Sequence, residues 1–152
     1  MASPLEQFEI KAIVPIEVGG LDISFTNSSA AMAAALVVGT GLLVFGMGRA
    51  SVVPGRIQSI AELSYEFVAG LISDTVGAEG KRYFPFVFTL FMFVLLGNLL
   101  GMLPYSFTFT SHIIVTFAMA AVVFIGVTIL GLVKHKMHFF SFFVPPGVPV
   151  AM

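Results

Sequence analysis

Residues 83–133 read YFPFVFTLFMFVLLGNLLGMLPYSFTFTSHIIVTFAMAAVVFIGVTILGLV, and none of these 51 residues is Lys, Arg, Asp or Glu. A helix rises about 1.5 Å per residue and needs roughly 20 residues to cross about 30 Å of hydrocarbon. The stretch is therefore two spans and a turn, with the turn at Gly101-Met102-Leu103-Pro104-Tyr105-Ser106-Phe107. Pro lacks an N–H and biases the residue before it away from helix, so the first arm ends there. The spans are expected over 83–103 and 111–133.

Composition carries the same message. Of the 152 residues, 58% are hydrophobic and only 10% are charged, with a mean hydropathy of +1.04. Soluble domains carry roughly 25% charged residues, so this chain has too few to cover a soluble surface. The net charge of −1 gives no footprint for a nucleic-acid partner. Zero Cys excludes disulfides, thiolate metal sites and cysteine nucleophiles.

Residues 1–27 carry Glu6, Glu9, Glu17 and Asp22 against Lys11, with turn signals at Pro15 and Gly19-Gly20. A secretory signal needs a basic start followed by a short apolar core. This segment is acidic, so it reads as a retained, irregular or surface-lying arm. An uncharged run then supplies a first span over 28–48, with Asn27 or Ser28 as its cap. Its small residues Ala31, Ala34, Ala35, Gly39, Gly41 and Gly46 offer close approach to a neighbouring helix. Gly39-Thr40-Gly41 begins like a dinucleotide loop, but no strand precedes it and Val44 stands where the third Gly belongs. No cofactor is expected.

Over 54–76 the apolar residues Ile57, Ile60, Ala61, Phe67, Val68, Leu71 and Ile72 recur at helical spacing. Gln58, Glu62, Tyr65, Glu66 and Ser73 occupy the other face, and Leu63 departs from the stripe. Pro54 suits the first turn and Gly77 the C-terminal cap. This is an amphipathic helix, lying on the bilayer surface or packed on a partner. The fold class expected is an all-α integral membrane protein: three transmembrane helices plus one amphipathic surface helix between the first and second spans. Residues 134–152, with Phe139-Phe140-Ser141-Phe142-Phe143 and the proline-rich Pro145-Pro146-Gly147-Val148-Pro149, read as an interfacial segment leading to a helix the sequence does not include.

Lys and Arg in short loops set orientation. Arg49, Arg56, Lys81 and Arg82 lie between the first and second spans, Lys134 and Lys136 follow the third, and the turn 104–110 has none. The N-terminus is thus expected outside, with the amphipathic helix inside. Asn98 then lies close to the outer end of its helix, and Ser111, His112 and Thr116 enter from the same side. These four are the candidate site residues. A polar cluster on one side of a membrane suggests a half-depth aqueous pocket rather than a full pore. Asn98 has a second reading, a hydrogen bond to a neighbouring helix beside the Gly97/Gly101 surface. His112 likewise reads as an interfacial histidine or a proton relay. His135 and His138 have the spacing of a ligand pair, but no third ligand is near and no metal is expected. No paired carboxylate, activated serine or phosphate loop is present, so no catalytic residue is assigned.

Four stretches in order resemble subunit a of the F-type ATP synthase, in its alphaproteobacterial variant. They are Pro54-x-x-x-Gln58-x-x-x-Glu62, 98–104 (Asn-Leu-Leu-Gly-Met-Leu-Pro), 116–120 (Thr-Phe-Ala-Met-Ala) and 142–149 (Phe-Phe-Val-Pro-Pro-Gly-Val-Pro). The resemblance implies a stator subunit that lies against a rotating ring of c subunits, held with peripheral-stalk b subunits and the rest of the synthase. It further implies two offset aqueous half-channels for protons, with the Asn of the first arm beside the outer one. The location implied is the bacterial inner membrane, N-terminus periplasmic, with the mitochondrial inner membrane as the alternative. An essential arginine, in Ser-Arg-Pro-like and Arg-Leu-Phe-x-Asn patterns after the Pro-rich segment, is also implied. Neither pattern occurs in this sequence.

A fixed cation between half-channels keeps ring carboxylates deprotonated as they pass. Arg49, Arg56 and Arg82 stand at membrane boundaries and cannot take that place, so the chain alone is not expected to translocate protons. Two readings of other classes remain: a small membrane scaffold or assembly subunit, and a fragment of a secondary transporter with a midplane site on a broken helix.

Overall fold

The computed structural model describes residues 9–48, 50–103, 106–136 and 138–139. Arg49, the turn residues Pro104 and Tyr105, and the proline-rich stretch all lie outside the described residues. The chain divides into two compact units, residues 1–111 and 112–152.

The first unit opens on four short strands, β1 (Ala12–Val14), β2 (Glu17–Val18), β3 (Leu21–Asp22) and β4 (Phe25–Thr26). β1 pairs antiparallel with β4 and β2 with β3. Where an irregular arm was expected, the described part of it is an interrupted hairpin. The turn signal was real: Gly19 and Gly20 take φ of +60° and +84°, which side chains with a Cβ rarely adopt. Beside it, the Asp22 carboxylate accepts hydrogen bonds from the Ser24 hydroxyl and the Ser24 N–H. Both favour the charged form, the hydroxyl more, and hold the Asp22 carboxyl below its ordinary value.

Helix α1 spans Asn27–Met47. Its cap is Thr26, not Asn27 or Ser28: Thr26 has extended backbone and its side chain accepts from the Ser29 N–H. Asn27 is committed elsewhere, because its amide joins the arm to the helix start. Its Oδ1 accepts from the Lys11 N–H at 3.0 Å, its Nδ2 donates to the Glu9 carbonyl at 2.8 Å, and its own N–H donates to the Lys11 carbonyl at 3.0 Å.

Helix α2 spans Arg56–Val76, capped by Gly55, so Pro54 precedes the cap instead of opening the first turn. Gly77 does close it, with φ of +74°. A 3-10 helix over Gly77–Tyr83 carries Lys81 and Arg82 into α3, Phe84–Gly101, where Pro85 sits in the first turn. After α3 a short 3-10 turn covers Phe109–Ser111.

Small residues let α1 meet its neighbours, though only part of the expected small face is used. Ala35, Gly39 and Gly46 are buried, whereas Ala34 is exposed and Gly41 would meet only Phe45 of its own helix. A Cβ at Gly39 would come 2.8 Å from the end of Leu96 on α3, and one at Gly46 would come 3.1 Å from Ala61 Cβ on α2. Lipid tails are as apolar as leucine, so such van der Waals contact, not transfer from water, holds spans together. From α3, Phe88, Met92 and Leu96 fill the interface at successive turns.

The expected apolar stripe of α2 divides. Ala61, Val68 and Ile72 are buried, but Ile57, Ile60, Phe67 and Leu71 are each just over half exposed. Gln58, expected on the polar face, is only 7% exposed. Its polar atoms are all matched, which makes that burial tolerable. Nε2 donates to Glu62 Oε1 at 2.7 Å and to the Ser51 carbonyl at 3.0 Å, and Oε1 accepts from the Ser51 N–H at 3.1 Å. Tyr65, also expected on the polar face, packs its ring 4.6 Å from that of Phe84. α2 thus presents a core face, a polar face and an exposed apolar face.

The second unit contains α4, Ile113–His135, none of whose residues is buried. Thr128 turns its hydroxyl onto the Phe124 carbonyl at 2.7 Å, satisfying it within the helix. The phenyl ring of Phe139 lies against Gly131.

The α1–α2 contact has no slack on its α2 side, where Gly46 also lies 3.3 Å from the Ile57 carbonyl oxygen as measured to an added Cβ. Gly46→Leu is expected to cost about 1–3 kcal/mol of stability by overpacking. Gly41→Leu, against an open surface, should be close to neutral; thermal unfolding of both variants in the same lipid or detergent checks the difference.

Candidate functional site

The end of α3 is where the polar groups gather. In a helix the last four carbonyls have no intrahelical donor, and in hydrocarbon no water replaces it. In α3 these belong to Asn98, Leu99, Leu100 and Gly101. Met102 N–H serves the Asn98 and Leu99 carbonyls at 3.1 and 3.3 Å, and Leu103 N–H serves that of Leu100 at 3.2 Å. The Ser106 hydroxyl lies 2.6 Å from the Leu100 carbonyl and 2.8 Å from that of Leu103, donating its one proton to either. The Thr108 hydroxyl donates to the Gly101 carbonyl at 3.1 Å. Every orphan acceptor has a partner.

Between those hydroxyls the chain folds back along α3. Phe109 is fully buried and its ring lies directly over Gly97, 5.1 Å from the ring of Phe93. A Cβ at Gly101 would meet Thr108 Oγ1 at 2.5 Å. The Gly97/Gly101 surface therefore receives the returning turn. One turn below, the Thr110 hydroxyl donates to Asn98 Oδ1 at 2.6 Å. Asn98 is exposed, and its Nδ2 makes no hydrogen bond to another described residue. Because α3 stops at Gly101, Asn98 lies three residues, about 4.5 Å, from the helix end.

Two of the remaining candidates, Ser111 and Thr116, have their hydroxyl donors engaged. The Ser111 hydroxyl donates to the Thr108 carbonyl at 2.7 Å. In the second unit, the Thr116 hydroxyl lies 3.3 Å from the His112 carbonyl and 3.2 Å from that of Ile113, within the first turn of α4. His112 occupies the cap position with extended backbone, and its ring is half-buried. Asn98 and Ser111 thus stand in one unit, His112 and Thr116 in the other. Thr110 is the partner that sequence reasoning missed. Its signal was the alternation Ser106-Phe107-Thr108-Phe109-Thr110, hydroxyl and phenyl by turns.

Next to this end, Ala30, Ala31 and Ala34 of α1 face Gly97, Leu100 and Phe109 across an open cavity of about 320 Å³. Its wall is almost wholly apolar, since Asn27 and Ser106 at its margin spend their polar atoms on backbone. The described arginines of this unit stand toward the far end of α3. Arg82 stacks its guanidinium 4.8 Å from the centre of the Tyr83 ring, and Arg56 is the exposed first residue of α2. Among the described residues, α1, α3 and α4 carry no arginine.

Helical stretches over 27–47, 56–101 and 113–135 are each long and apolar enough to cross a membrane. With short connections and backbone groups satisfied at a helix end, they define an α-helical, multi-span membrane protein. Residues 28–152 match the ATP synthase A chain family, and the chain belongs to it. It is 55% identical over 154 residues to the ATP synthase subunit a of Paramagnetospirillum magneticum and 56% identical over 152 residues to that of Rhodospirillum rubrum. Each of these alignments covers 99% of this chain and 62% of the relative. The subunit a of Rhizobium etli is 56% identical over 146 residues, covering 96% of this chain and 58% of the relative. The chain spans about three fifths of the length of these curated relatives.

The Asn98–Thr110 bond is testable by a double-mutant cycle. Asn98→Leu and Thr110→Val each remove the same contact, so their stability losses should fall short of additivity by roughly 0.5–1.5 kcal/mol. Strict additivity in thermal or denaturant unfolding means the two side chains act independently.

Proposed function

We propose that this chain is part of the stator subunit a of a proton-translocating F-type ATP synthase and forms one wall of the outer proton half-channel beside the c-subunit ring. Family membership supports the assignment to the synthase; the observation that carries the channel reading is the state of Asn98. It is an amide within an uncharged helix, exposed, held by its Oδ1 and with Nδ2 bonded to no other described residue. An amide fixed in this way donates to the oxygen of a water and orders it without binding it tightly. Thr110 sets its rotamer.

Ser111, His112 and Thr116 line the same path in this reading. The hydroxyls of Ser111 and Thr116 donate to backbone carbonyls and so contribute as acceptors for water. Proton release to a ring carboxylate requires, in addition, a cation that keeps that carboxylate ionised. The described spans supply access and not that cation. The Lys and Arg pattern supports an N-terminus outside, the end of α3 outward and the Arg56 and Lys81-Arg82 connection inward, which in a bacterial inner membrane is a periplasmic N-terminus. The peripheral-stalk b subunits and the c ring are the partners this arrangement serves.

A second reading has its own observation, since the Asn98–Thr110 bond pins the turn to α3 and would do so in a scaffold subunit as well. A transporter fragment fits less well, because α1, α3 and α4 each run unbroken. Asn98→Leu separates the first two. The channel reading expects a severalfold loss of proton-driven ATP synthesis with the normal amount of synthase assembled in the membrane. Loss of the subunit from the membrane, with full specific activity in what remains, identifies a structural pin.

A further inference from the structure

A two-stranded hairpin is marginal in water and needs an apolar surface to rest on. The hairpin of β1 to β4 exposes six large apolar side chains, Ile10, Ile13, Val14, Ile16, Ile23 and Phe25, each between 42% and 59% accessible. β1 bulges between Ala12 and Val14, so Ile13 is the extra residue there, while Val14 pairs with Phe25 and sets a second exposed apolar side chain beside it. Its polar character is concentrated elsewhere. The tip from Glu17 to Asp22 turns at Gly19-Gly20 and carries two carboxylates.

The position of this hairpin is fixed by the helix that follows. No linker separates β4 from α1, and the three hydrogen bonds between Asn27 and Glu9 or Lys11 tie the hairpin's base to the first residue of the span. α1 in turn exposes Leu36, Val37, Val38, Val44 and Phe45 along its length. A hairpin held at the end of a membrane-crossing helix lies at the boundary between headgroups and acyl chains, where amphipathic elements rest.

We propose that residues 10–25 form a membrane-interface anchor, whose apolar base enters the headgroup–acyl boundary of the leaflet at the N-terminal end of α1 while the Glu17–Asp22 tip reaches water. The occupant of the exposed surface is lipid. Residues 9–26 hold Glu9, Glu17 and Asp22 against Lys11 alone, so the attraction is apolar and owes nothing to anionic headgroups. The Lys11 ammonium lies 3.9 Å from the Glu9 carboxylate, so its charge is offset within the hairpin.

The inference rests on α1 crossing the bilayer, which the test controls separately. Nitroxide labels are placed on single cysteines at Ile13, Val14, Glu17 and, within α1, Val37, in the complete synthase in liposomes; the unsubstituted synthase gives the background. All four positions are exposed, so the labels disturb no packing. Labels at 13 and 14 should gain accessibility to oxygen and lose it to a water-soluble nickel chelate relative to position 17, unchanged by salt or by anionic lipid. Chelate accessibility at 13 and 14 equal to that at 17 overturns the anchor. Low accessibility of 13 and 14 to both reagents also overturns it and identifies a protein partner. If Val37 itself reports water, the span fails and not the hairpin alone.

Discussion

The last carbonyls of α3 have to be satisfied without water, and the chain after Gly101 is built to satisfy them. Hydroxyls of Ser106 and Thr108 reach back to Leu100 and Gly101, and the turn's own N–H groups take Asn98 and Leu99. An unpaired carbonyl at this depth costs several kcal/mol, so the positions of these side chains are dictated before any functional demand is considered. Placing the hydroxyls in turn drives Phe109 onto Gly97 and brings Thr110 to Asn98. One constraint therefore sets the helix end, the core beside it and the orientation of the single intramembrane amide in α3.

The same logic separates structural polar groups from those left for chemistry. Ser106, Thr108, Ser111 and Thr116 donate their hydroxyl protons to backbone, and Thr110 donates to a side chain. Asn98 Nδ2 is the donor that this bonding leaves over. At the opposite end of α3 the Gln58 amide is fully used, binding Ser51 and Glu62 and fixing the connection from α1 to α2. The two amides have the same chemistry and opposite situations: one is buried and saturated, the other exposed and half-engaged.

Helix length and number were legible because hydrocarbon thickness leaves little choice for uncharged runs, and Gly77 marks an end that backbone sterics impose. What periodicity could not show was which side of α2 faces inward. Ala61 and Gln58 outrank Ile60 and Phe67 there because Gly46 admits only a small neighbour and Ser51 offers Gln58 its partners. Nor could it show that Asn27 serves the arm, because that depends on Lys11, 16 residues earlier. For the site, Asn98 could be picked out as an amide in an apolar run, but its partner could not. The alternation of phenyl and hydroxyl at 106–110 makes sense only once Gly97 and Gly101 are seen to face it.

The central claim is that Asn98 opens to water on the outer face while the rest of α3 does not. The direct measurement is labelling of Asn98→Cys in the assembled, vesicle-embedded synthase by a charged, membrane-impermeant maleimide presented from one face at a time. Modification from the outer face alone, alongside an outer-turn control at Ser106→Cys and with Phe91→Cys inert, is the predicted result. Modification from the inner face, or an inert Asn98→Cys beside a reactive control, contradicts it.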